Sequence, residues 1–438
     1  MRLKPARRIH GRVSVPGDKS ISHRAAIISA LAPGSSQLTN FATSADCAAT
    51  LSCLRSLGVS ISQNGPTVRI EGMERGGFQP PTEPLDCGNS GSTMRMLAGV
   101  LAAQSFASMM TGDASLRSRP MGRVIEPLEI MGAKITSTEG KPPLMIAGKN
   151  DLNSIQYRLP VASAQVKSCV LLAGMHARGS TEVIEQQPAT RDHTERMLNW
   201  FGVPVETKVQ EDNSVRISVA GGVVPIARDV EIPGDVSSSA FLIAAAALMP
   251  DSDLEIAGVG LNPTRTQFIS TFQSLGLDVS INGERQECNE PVGNVRARGR
   301  LATEPTGREP GNVLSQDLIP QLIDELPLLA VVATQVQGGI TIRGARELRL
   351  KESDRIAATV RNLRAMGAEV EEYADGLSVP GQQKLHGGEL DSFGDHRIAM
   401  AFTIAALFAK SESELTGAEC VAVSFPEFFA TLSSIIEF

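Results

Sequence analysis

The sequence predicts an α/β protein made of two similar globular domains. Three observations support this class: the length of 438 residues, a recurring pair of helices, and short segments of alternating polarity after the second helix of each pair. A single hydrophobic core usually stops growing at about 250–300 residues, so a chain of this length is expected to divide. The hydrophobic content of 42% is ordinary for a globular protein.

The first helix of the repeated pair begins with a short polar cluster and continues as an alanine-rich apolar segment. It recurs about every 70 to 80 residues, and such regular recurrence is typical of a protein built from repeated structural units. The segments are GDKSISHRAAIISALA from Gly17, GNSGSTMRMLAGVLAA from Gly88, SAQVKSCVLLAGMHA from Ser163, GDVSSSAFLIAAAALM from Gly234, QDLIPQLIDELPLLAVVA from Gln316 and GDHRIAMAFTIAALFA from Gly394. Because these helices are apolar around their circumference, we expect them at the centres of the domains.

The second helix of each pair is more polar and ends in an apolar residue followed by glycine, as in SADCAATLSCLRSLGVSI and TRDHTERMLNWFGVPV. Glycine at this place favours a helix end in the left-handed conformation. The glycines concerned are Gly58, Gly132, Gly202, Gly276 and Gly367. Alternating segments such as VRISVAG (Val215 to Gly221) come next and predict paired strands.

These repeats predict an N-terminal globule over residues 16–229 and a C-terminal globule from residue 230 to residue 438. The first strand, within residues 1–15, must pair with one of them, and spacing alone does not decide which.

The charge and the N-terminus narrow the class of protein further. The formal net charge of -7 argues against a nucleic-acid-binding protein, whose affinity depends on a basic face. The N-terminus lacks the apolar region of a secretory signal, and no stretch is long and apolar enough for a membrane span. We therefore expect a cytoplasmic protein.

The six cysteines form no C-x-x-C pair, and none stands at metal-ligand spacing from a histidine. Reduced thiols are expected, and no metal site is predicted.

The polar clusters that open the apolar helices allow two interpretations. Ser, Asp and Asn at these places satisfy the amides of a first helical turn, and for Asp235, Ser237 and Ser238 capping and ligand binding stay equally open. Capping does not explain Lys19 or Arg397, because a cation opposes the positive end of the helix dipole. An anion bound between the cation and the amides would explain both.

Further arginines stand near predicted helix starts, namely Arg119, Arg191 and Arg355, and Arg24 lies one turn into the first apolar helix. Each alone resembles a solvated surface residue, but together with Lys19 and Arg397 they predict a site for multiply charged anions. Arg265 stands by itself and is predicted to be such a surface residue.

Two carboxylates accompany the cations. Asp324 lies in a segment predicted to be one continuous buried helix, where it either has a structural partner or takes a proton from a hydroxyl. Glu352, between Lys351 and Arg355, is either an ion-pair partner or an acid–base group, and the sequence does not separate the two.

The segments PGDKSISHRA, GNSGSTMR, SRPMGRVIEPL, SAQVKS, RDHTERM, GDVSSSA, IDELPLLAV, LRLKESDRI and GDHRIAMA resemble, in order, the signature segments of the shikimate-pathway enolpyruvyl transferases. The resemblance covers essentially the whole chain. It implies two globules, each an inside-out α/β barrel of three βαβαββ repeats, with the first strand joining the C-terminal globule and hinges near residues 15–18 and 227–234. The sequences of the SAQVKS and RDHTERM segments are similar to those of the second, more divergent class of the family.

The resemblance also implies the reaction. The enolpyruvyl group of phosphoenolpyruvate would pass to the 5-hydroxyl of shikimate 3-phosphate by addition and elimination, within aromatic amino-acid biosynthesis, and phosphate would be released. Asp324 would be the base on the hydroxyl, while Glu352 and Lys19 are candidates for proton transfer at the methylene carbon. No cofactor or metal is implied, and we expect a monomer.

Two sets of binding residues follow from the same resemblance. The residues implied for shikimate 3-phosphate are Lys19, Ser20, Arg24, Ser163, Gln165, Arg191, Asp324 and Lys351. The residues implied for phosphoenolpyruvate are Lys19, Gly91, Arg119, Gln165, Arg355 and Arg397.

The chain departs from the family pattern at Ala164, where a second serine is common, and at Val423, where a lysine often precedes the final Phe-Pro. Met96 replaces a common proline, and His193 stands where an aromatic hydroxyl often stacks on the shikimate ring. Gly91 occupies a position where alanine in the second class narrows the site against glyphosate, so the resemblance implies a glyphosate-sensitive enzyme.

Two other functions are alternatives to enolpyruvyl transfer to shikimate 3-phosphate. The peptidoglycan enolpyruvyl transferases share the fold, but they use a loop cysteine that is absent from GDASLRSRPMG. A non-catalytic anion-binding relative would keep the cations and lose the chemistry, yet Lys19, Asp324, Glu352 and Arg397 are all present.

Overall fold

A computed structural model of the chain describes residues 1–74, 76–187, 189–301 and 312–438. They divide into two compact units. The terminal unit, which contains both chain ends, comprises Met1–Pro16, Pro233–Gln286 and Pro291–Phe438. The central unit comprises Gly17–Ile232 and the short stretch Glu287–Glu290.

The strands and helices have the following bounds. The strands are β1 (Arg2–Leu3), β2 (Arg8–Ser14), β3 (Gly34–Thr39), β4 (Ser60–Asn64), β5 (Thr67–Gly72), β6 (Leu85–Asp86), β7 (Ala107–Thr111), β8 (Lys134–Thr138), β9 (Lys141–Ala147), β10 (Leu152–Asn153), β11 (Gln156–Arg158), β12 (Ala177–Arg178), β13 (Ser180–Glu185), β14 (Val205–Val209), β15 (Val215–Ala220), β16 (Val230–Glu231), β17 (Asp253–Gly260), β18 (Leu277–Glu287), β19 (Glu290–Leu301), β20 (Asn312–Val313), β21 (Ile340–Ile342), β22 (Glu371–Tyr373), β23 (Gly376–Val379), β24 (Glu389–Asp391), β25 (Ser413–Thr416) and β26 (Ile436–Glu437). The α-helices are α1 (Lys19–Leu31), α2 (Ala45–Ser56), α3 (Gly91–Leu101), α4 (Ala114–Ser118), α5 (Gly122–Ile130), α6 (Ala164–Gly174), α7 (His193–Trp200), α8 (Val236–Leu248), α9 (Gln267–Ser274), α10 (Ile319–Leu322), α11 (Leu326–Ala333), α12 (Arg355–Ala365), α13 (His396–Leu407) and α14 (Phe428–Ile435). Short 3-10 helices lie at Gln316–Leu318, Arg346–Leu350 and Ala418–Val423.

The central unit repeats one sheet pattern three times, in the strand orders β16-β3-β5-β4, β6-β7-β9-β8 and β11-β13-β15-β14. In each sheet the first two strands run parallel and the remaining pairs run antiparallel. Helices α1, α3 and α6 begin beside these sheets and are buried along most of their length. Gly99 lets α3 approach α6 closely, since a Cβ there would lie 2.3 Å from the carbonyl oxygen of Cys169.

The terminal unit contains the sheets β18-β19-β17-β2-β26, β20-β21-β23-β22 and β1-β25-β24. Strand β2 pairs with β17 and β26, and β1 pairs with β25, so the first residues of the chain lie in this unit. Helices α8, α11 and α13 pack against one another, and every residue of α8 and α13 is buried. The predicted α/β class, with apolar helices at the centre of each unit and sheets packed on them, is confirmed.

The predicted helix ends also have the expected backbone. Gly58, Gly132, Gly202, Gly276 and Gly367 have φ values of +90°, +106°, +78°, +85° and +78°, in the left-handed region that favours glycine.

None of the helices within the described residues is both long enough and apolar enough to cross a membrane.

Candidate functional site

Lys19 is the first residue of helix α1, in the central unit. The side chain of Asp18 caps the helix by accepting a hydrogen bond of 2.9 Å from the amide of Ile21. Lys19 Nζ donates 2.9 Å to Oδ2 of Asp46, in the first turn of α2, and 20% of its side chain stays exposed. The ammonium is therefore held at a helix N-terminus while part of it can still reach a ligand.

Arg24 lies one turn further along α1 and is buried. Its Nε donates 2.7 Å to Thr194 Oγ1, its Nη2 donates 2.8 Å to Ser168 Oγ, and its Nη1 donates 2.7 Å to the carbonyl of Ser20. Burial lowers the pKa of Arg24 to about 10, against the opposing effect of Glu195. The guanidinium is still protonated at neutral pH, and neutral oxygens orient it without cancelling its charge.

The start of helix α3 brings Gly91 next to an arginine that sequence reasoning missed. Arg95 Nη1 donates 2.6 Å to Oε1 of Gln165, whose Nε2 donates 2.8 Å to Ser92 Oγ. A Cβ on Gly91 would lie only 2.7 Å from Arg95 Nη1. Arg95 lies one turn into an apolar helix, as Arg24 does, so the pattern that selected Arg24 would also have selected it.

Arg119 follows helix α4 and ends it as the C-terminal cap. Its Nη2 donates 2.8 Å to Asn89 Oδ1 and 3.1 Å to Ser115 Oγ. A Cβ on Gly91 would lie 3.6 Å from Arg119 Nη1. Gly91 and Arg119, both implied for phosphoenolpyruvate, are thus close neighbours, together with Arg95.

Two further predicted residues of the central unit occupy helix starts. Ser163 caps α6 by accepting a hydrogen bond of 3.4 Å from the amide of Val166. Arg191 is half-buried and lies two residues before the start of α7. The central unit therefore contains eight of the predicted site residues: Lys19, Ser20, Arg24, Gly91, Arg119, Ser163, Gln165 and Arg191.

The remaining predicted residues belong to the terminal unit, where the buried Arg355 forms the centre of an ionic cluster. Its Nε donates 2.8 Å to Oδ2 of Asp395, and its Nη2 donates 2.6 Å to Oε2 of Glu352. Burial opposes the charge of Arg355, but Asp395 and Glu352 outweigh burial and raise the pKa of the guanidinium. Arg355 is thus a fixed cation at the start of α12, as its position in the sequence predicted.

Asp324 does not lie inside a helix, contrary to the sequence prediction. The expected continuous helix is divided into a 3-10 turn, α10 and α11, and Asp324 occupies the turn between α10 and α11. Pro327 explains the break, because proline fits the first turn of α11 but would interrupt a continuous helix at that place. The Asp324 side chain is 19% exposed, and its Oδ1 lies 3.6 Å from Arg355 Nη1.

Arg397 lies in the first turn of α13, where its amide donates 2.9 Å to Oδ1 of the capping Asp395. Its Nη1 lies 4.0 Å from Oε1 of Glu325, a buried carboxylate that sequence reasoning did not select. Burial, and then the charge of Asp324, raise the pKa of Glu325. Lys351 follows the 3-10 helix Arg346–Leu350 and is half-buried.

Arg265 is buried, and the prediction of a solvated surface arginine is wrong. Its side chain is 3% exposed, and its Nη2 donates 2.5 Å to Ser237 Oγ. Ser237 in turn donates to Glu325. Asp235 is the residue that caps α8, through the amide of Ser238 at 2.8 Å, so Ser237 serves a buried network rather than the cap.

The positions that depart from the family pattern have defined environments. His193 is buried and its Nδ1 lies 2.7 Å from Oε1 of Glu290, so the ring faces a carboxylate of the same unit. Met96 is buried in the core of the central unit. Ala164 begins α6, and Val423 ends the 3-10 helix Ala418–Val423.

Within the residues that the structure describes, no three His, Cys, Asp or Glu side chains are grouped to hold a metal ion. All six cysteines are free.

Comparisons with known proteins agree along the whole chain. A family model described as EPSP synthase (3-phosphoshikimate 1-carboxyvinyltransferase) matches residues 3–432. A 3-phosphoshikimate 1-carboxyvinyltransferase of Koribacter versatilis is 48% identical over 438 residues, which cover 100% of this chain and 99% of that protein. One from a Synechococcus species is 46% identical over 441 residues, covering 99% and 96%. The solved structure of EPSP synthase from Acinetobacter baumannii is similar with a TM-score of 0.86 and 41% identity, over 99% of this chain and 97% of that one.

Proposed function

Because the chain belongs to the EPSP synthase (3-phosphoshikimate 1-carboxyvinyltransferase) family, we propose that it transfers the enolpyruvyl group of phosphoenolpyruvate to shikimate 3-phosphate. The 5-hydroxyl of shikimate 3-phosphate is the acceptor, and inorganic phosphate is released. The reaction is a step of the shikimate pathway, which leads to the aromatic amino acids.

The observation that carries the proposal is the set of cations at or near helix starts in the central unit. Lys19, Arg95 and Arg119 lie at or near the starts of α1, α3 and α5, where helix amides favour anions. Arg24 is held inside the same unit by hydroxyl and carbonyl oxygens. Substrates with phosphate and carboxylate groups suit such a set.

We assign the binding residues by substrate. Shikimate 3-phosphate is bound by Lys19, Ser20, Arg24, Ser163, Gln165, Arg191, Asp324 and Lys351. Phosphoenolpyruvate is bound by Lys19, Gly91, Arg119, Gln165, Arg355 and Arg397. Arg95 joins the second set, because it holds Gln165 and lies against Gly91.

The proposed chemistry is an addition followed by an elimination. Asp324 takes the proton of the 5-hydroxyl, the oxygen forms a bond to C2 of phosphoenolpyruvate, and C3 gains a proton to become a methyl group. The tetrahedral intermediate then loses a proton from C3 and breaks the bond from C2 to the phosphate oxygen. The carbon–carbon double bond is restored and phosphate leaves.

The environment of Asp324 supports its role as the base. The carboxylate is 19% exposed and its Oδ1 lies 3.6 Å from the fixed guanidinium of Arg355, so a ligand can reach it beside a positive charge. Glu352 and Lys19 stay the two candidates for proton transfer at C3. Glu352 is bound to Arg355 at 2.6 Å and Lys19 to Asp46 at 2.9 Å, so both are held in defined positions.

We further propose that the two globules are residues 16–229 and residues 230–438 with 1–15, joined by hinges near residues 15–18 and 227–234. The two compact units support this division, although the short stretch Glu287–Glu290 groups with the central unit. We also propose a cytoplasmic monomer without a nucleic-acid partner. The net charge of -7 supports the last point, and one copy of the chain supplies all assigned residues.

Phosphate release from phosphoenolpyruvate tests the function. The purified chain is incubated with phosphoenolpyruvate alone, with shikimate 3-phosphate added, or with UDP-N-acetylglucosamine added. We expect release with shikimate 3-phosphate only. Release with UDP-N-acetylglucosamine, or no release with either acceptor, would overturn the proposal.

A further inference from the structure

Lys167 is a buried cation in helix α6 that no step of the proposed reaction uses. Its side chain is 1% exposed, and its Nζ lies 2.9 Å from Oε1 of Glu185 and 2.7 Å from Oε1 of Glu195. Burial disfavours the charged ammonium, but Glu195 and then Glu185 outweigh burial and raise the pKa of Lys167. We call these three residues the Lys167 cluster.

The Lys167 cluster fixes the chain directly before Arg191. Lys167 Nζ donates 3.2 Å to the carbonyl oxygen of Thr190, and Thr190 Oγ1 donates 2.6 Å to Oε2 of Glu185. Arg191 is the next residue, and α7 starts two residues later with Glu195 in its first turn. The chain is therefore tied to α6 on both sides of Arg191, by the Thr190 carbonyl before it and by the Glu195 side chain after it.

The neighbours of the cluster hold Arg24. Ser168 follows Lys167 in α6, and Thr194 precedes Glu195 in α7. These two hydroxyls lie 2.6 Å apart and accept the hydrogen bonds from Arg24 Nη2 and Nε. Any shift of α7 against α6 that broke the Lys167 cluster would also move the two acceptors of Arg24.

Stability alone is a weak explanation for such a cluster. The free-energy cost of removing charges from water largely offsets the attraction between those charges inside a protein. Replacing a buried ion pair with apolar residues therefore often leaves stability unchanged. Two carboxylates on one ammonium also cost more to bury than a single pair. What the cluster does provide is a fixed placement of α7 on α6.

We propose that Lys167, Glu185 and Glu195 are positioning residues that align Arg24 and Arg191 for shikimate 3-phosphate. This inference rests on the proposed function, which assigns both arginines to that substrate. The cluster touches no reacting atom and acts through Thr190, Ser168 and Thr194.

The variant Glu195→Gln tests the inference with little change of shape, because Lys167 keeps Glu185 as its partner. We expect KM and the calorimetric Kd for shikimate 3-phosphate to rise about 10-fold, as for loss of one charged hydrogen bond. KM for phosphoenolpyruvate and kcat should stay within about 2-fold of wild type, which is the pattern of lost ground-state binding. Glu185→Gln should change the constants in the same direction.

The matched control is Glu182→Gln, on the same strand β13. Glu182 pairs with Gln156 and Arg216 near the surface and is 24% exposed, so all constants should match wild type. The thermal midpoint of each variant is measured alongside the kinetics.

The outcomes separate the inference from the function. The inference is supported if the wild-type enzyme is active and both cluster variants show a selective rise of KM for shikimate 3-phosphate. If the wild-type enzyme is active but the variants' KM values for the two substrates are unchanged, or rise together, the inference is overturned and the proposed function stands. If wild type neither binds nor converts shikimate 3-phosphate, both are overturned.

Discussion

The carboxylate of Asp395 accepts a hydrogen bond of 2.8 Å from Nε of Arg355, and both side chains are buried. The same carboxylate accepts from Ser353 Oγ at 3.1 Å and caps α13 through the amide of Arg397. One buried acid therefore sets the positions of two arginines assigned to phosphoenolpyruvate.

We expect Asp395→Asn to lower the free energy of unfolding by about 3 kcal/mol, because it leaves a buried guanidinium without its main counter-charge. KM for phosphoenolpyruvate should rise about 10-fold or more, since a misplaced guanidinium loses roughly 1.4 kcal/mol of binding. Urea denaturation and steady-state kinetics measure the two effects. Glu412→Gln is the control: it removes an exposed pair with Lys4 at 3.8 Å and should cost less than about 1 kcal/mol. Equal effects of the two variants would contradict the role of Asp395.

The Asp395 pair also has a defined pH dependence. Burial alone would raise the pKa of Asp395, but Arg355 and then His396 lower it below the ordinary value. A group whose pKa is depressed by folding stabilises the protein above its unfolded pKa, about 3.9 for aspartate, and loses that contribution as the pH falls further. We expect the difference in unfolding free energy between wild type and Asp395→Asn to be constant from neutral pH down to about pH 5. It should shrink below about pH 4, and a difference that grows on acidification would contradict the assignment.

Gly91 leaves room beside two guanidinium groups, and its replacement should change inhibitor binding. In Gly91→Ala the new Cβ would lie 2.7 Å from Arg95 Nη1, so the Arg95 guanidinium, which binds Gln165, must shift. We expect wild type to be inhibited by glyphosate in the micromolar range, and the inhibition constant of the variant to rise about 10-fold or more. Gly122→Ala, where a Cβ meets nothing within 4 Å, should leave inhibition unchanged. A millimolar inhibition constant for wild type would contradict this prediction.

Much of the fold and of the candidate site could be predicted from the sequence. Five of the six predicted apolar helices, the left-handed glycines after helices such as α2 and the cations at helix starts follow from local patterns. The break before α11 had a local signal in Pro327, which the apolar pattern obscured.

Pairings between distant segments had no such signal. Arg24 binds Thr194 across 170 residues, and Arg265 binds Ser237 across 28. The prediction of an exposed Arg265 rested on its isolation in the sequence from the other cationic clusters. Its buried partners are supplied by α8 and by the turn before α11, which only the tertiary fold brings together.

Replacement of Asp324 separates catalysis from binding. Asp324→Asn keeps the size of the side chain but cannot accept the proton of the 5-hydroxyl, so kcat should fall by about 10²- to 10⁴-fold. The calorimetric Kd for shikimate 3-phosphate should change by less than about 5-fold, because the asparagine oxygen can still accept a hydrogen bond from the substrate and only the charge is lost. Asp317→Asn, on the exposed 3-10 turn of the same segment, is the control and should behave as wild type. Full activity of Asp324→Asn would show that another group is the base.

The most direct test of enolpyruvyl transfer is carbon NMR of a reaction in D2O with phosphoenolpyruvate labelled at C3 and unlabelled shikimate 3-phosphate. Transfer by addition and elimination should move the label into a vinyl ether on shikimate 3-phosphate. Deuterium should enter the labelled methylene, because C3 passes through a methyl group. Labelled pyruvate in place of the ether would indicate hydrolysis and contradict the account, and an ether without deuterium would contradict the proposed intermediate.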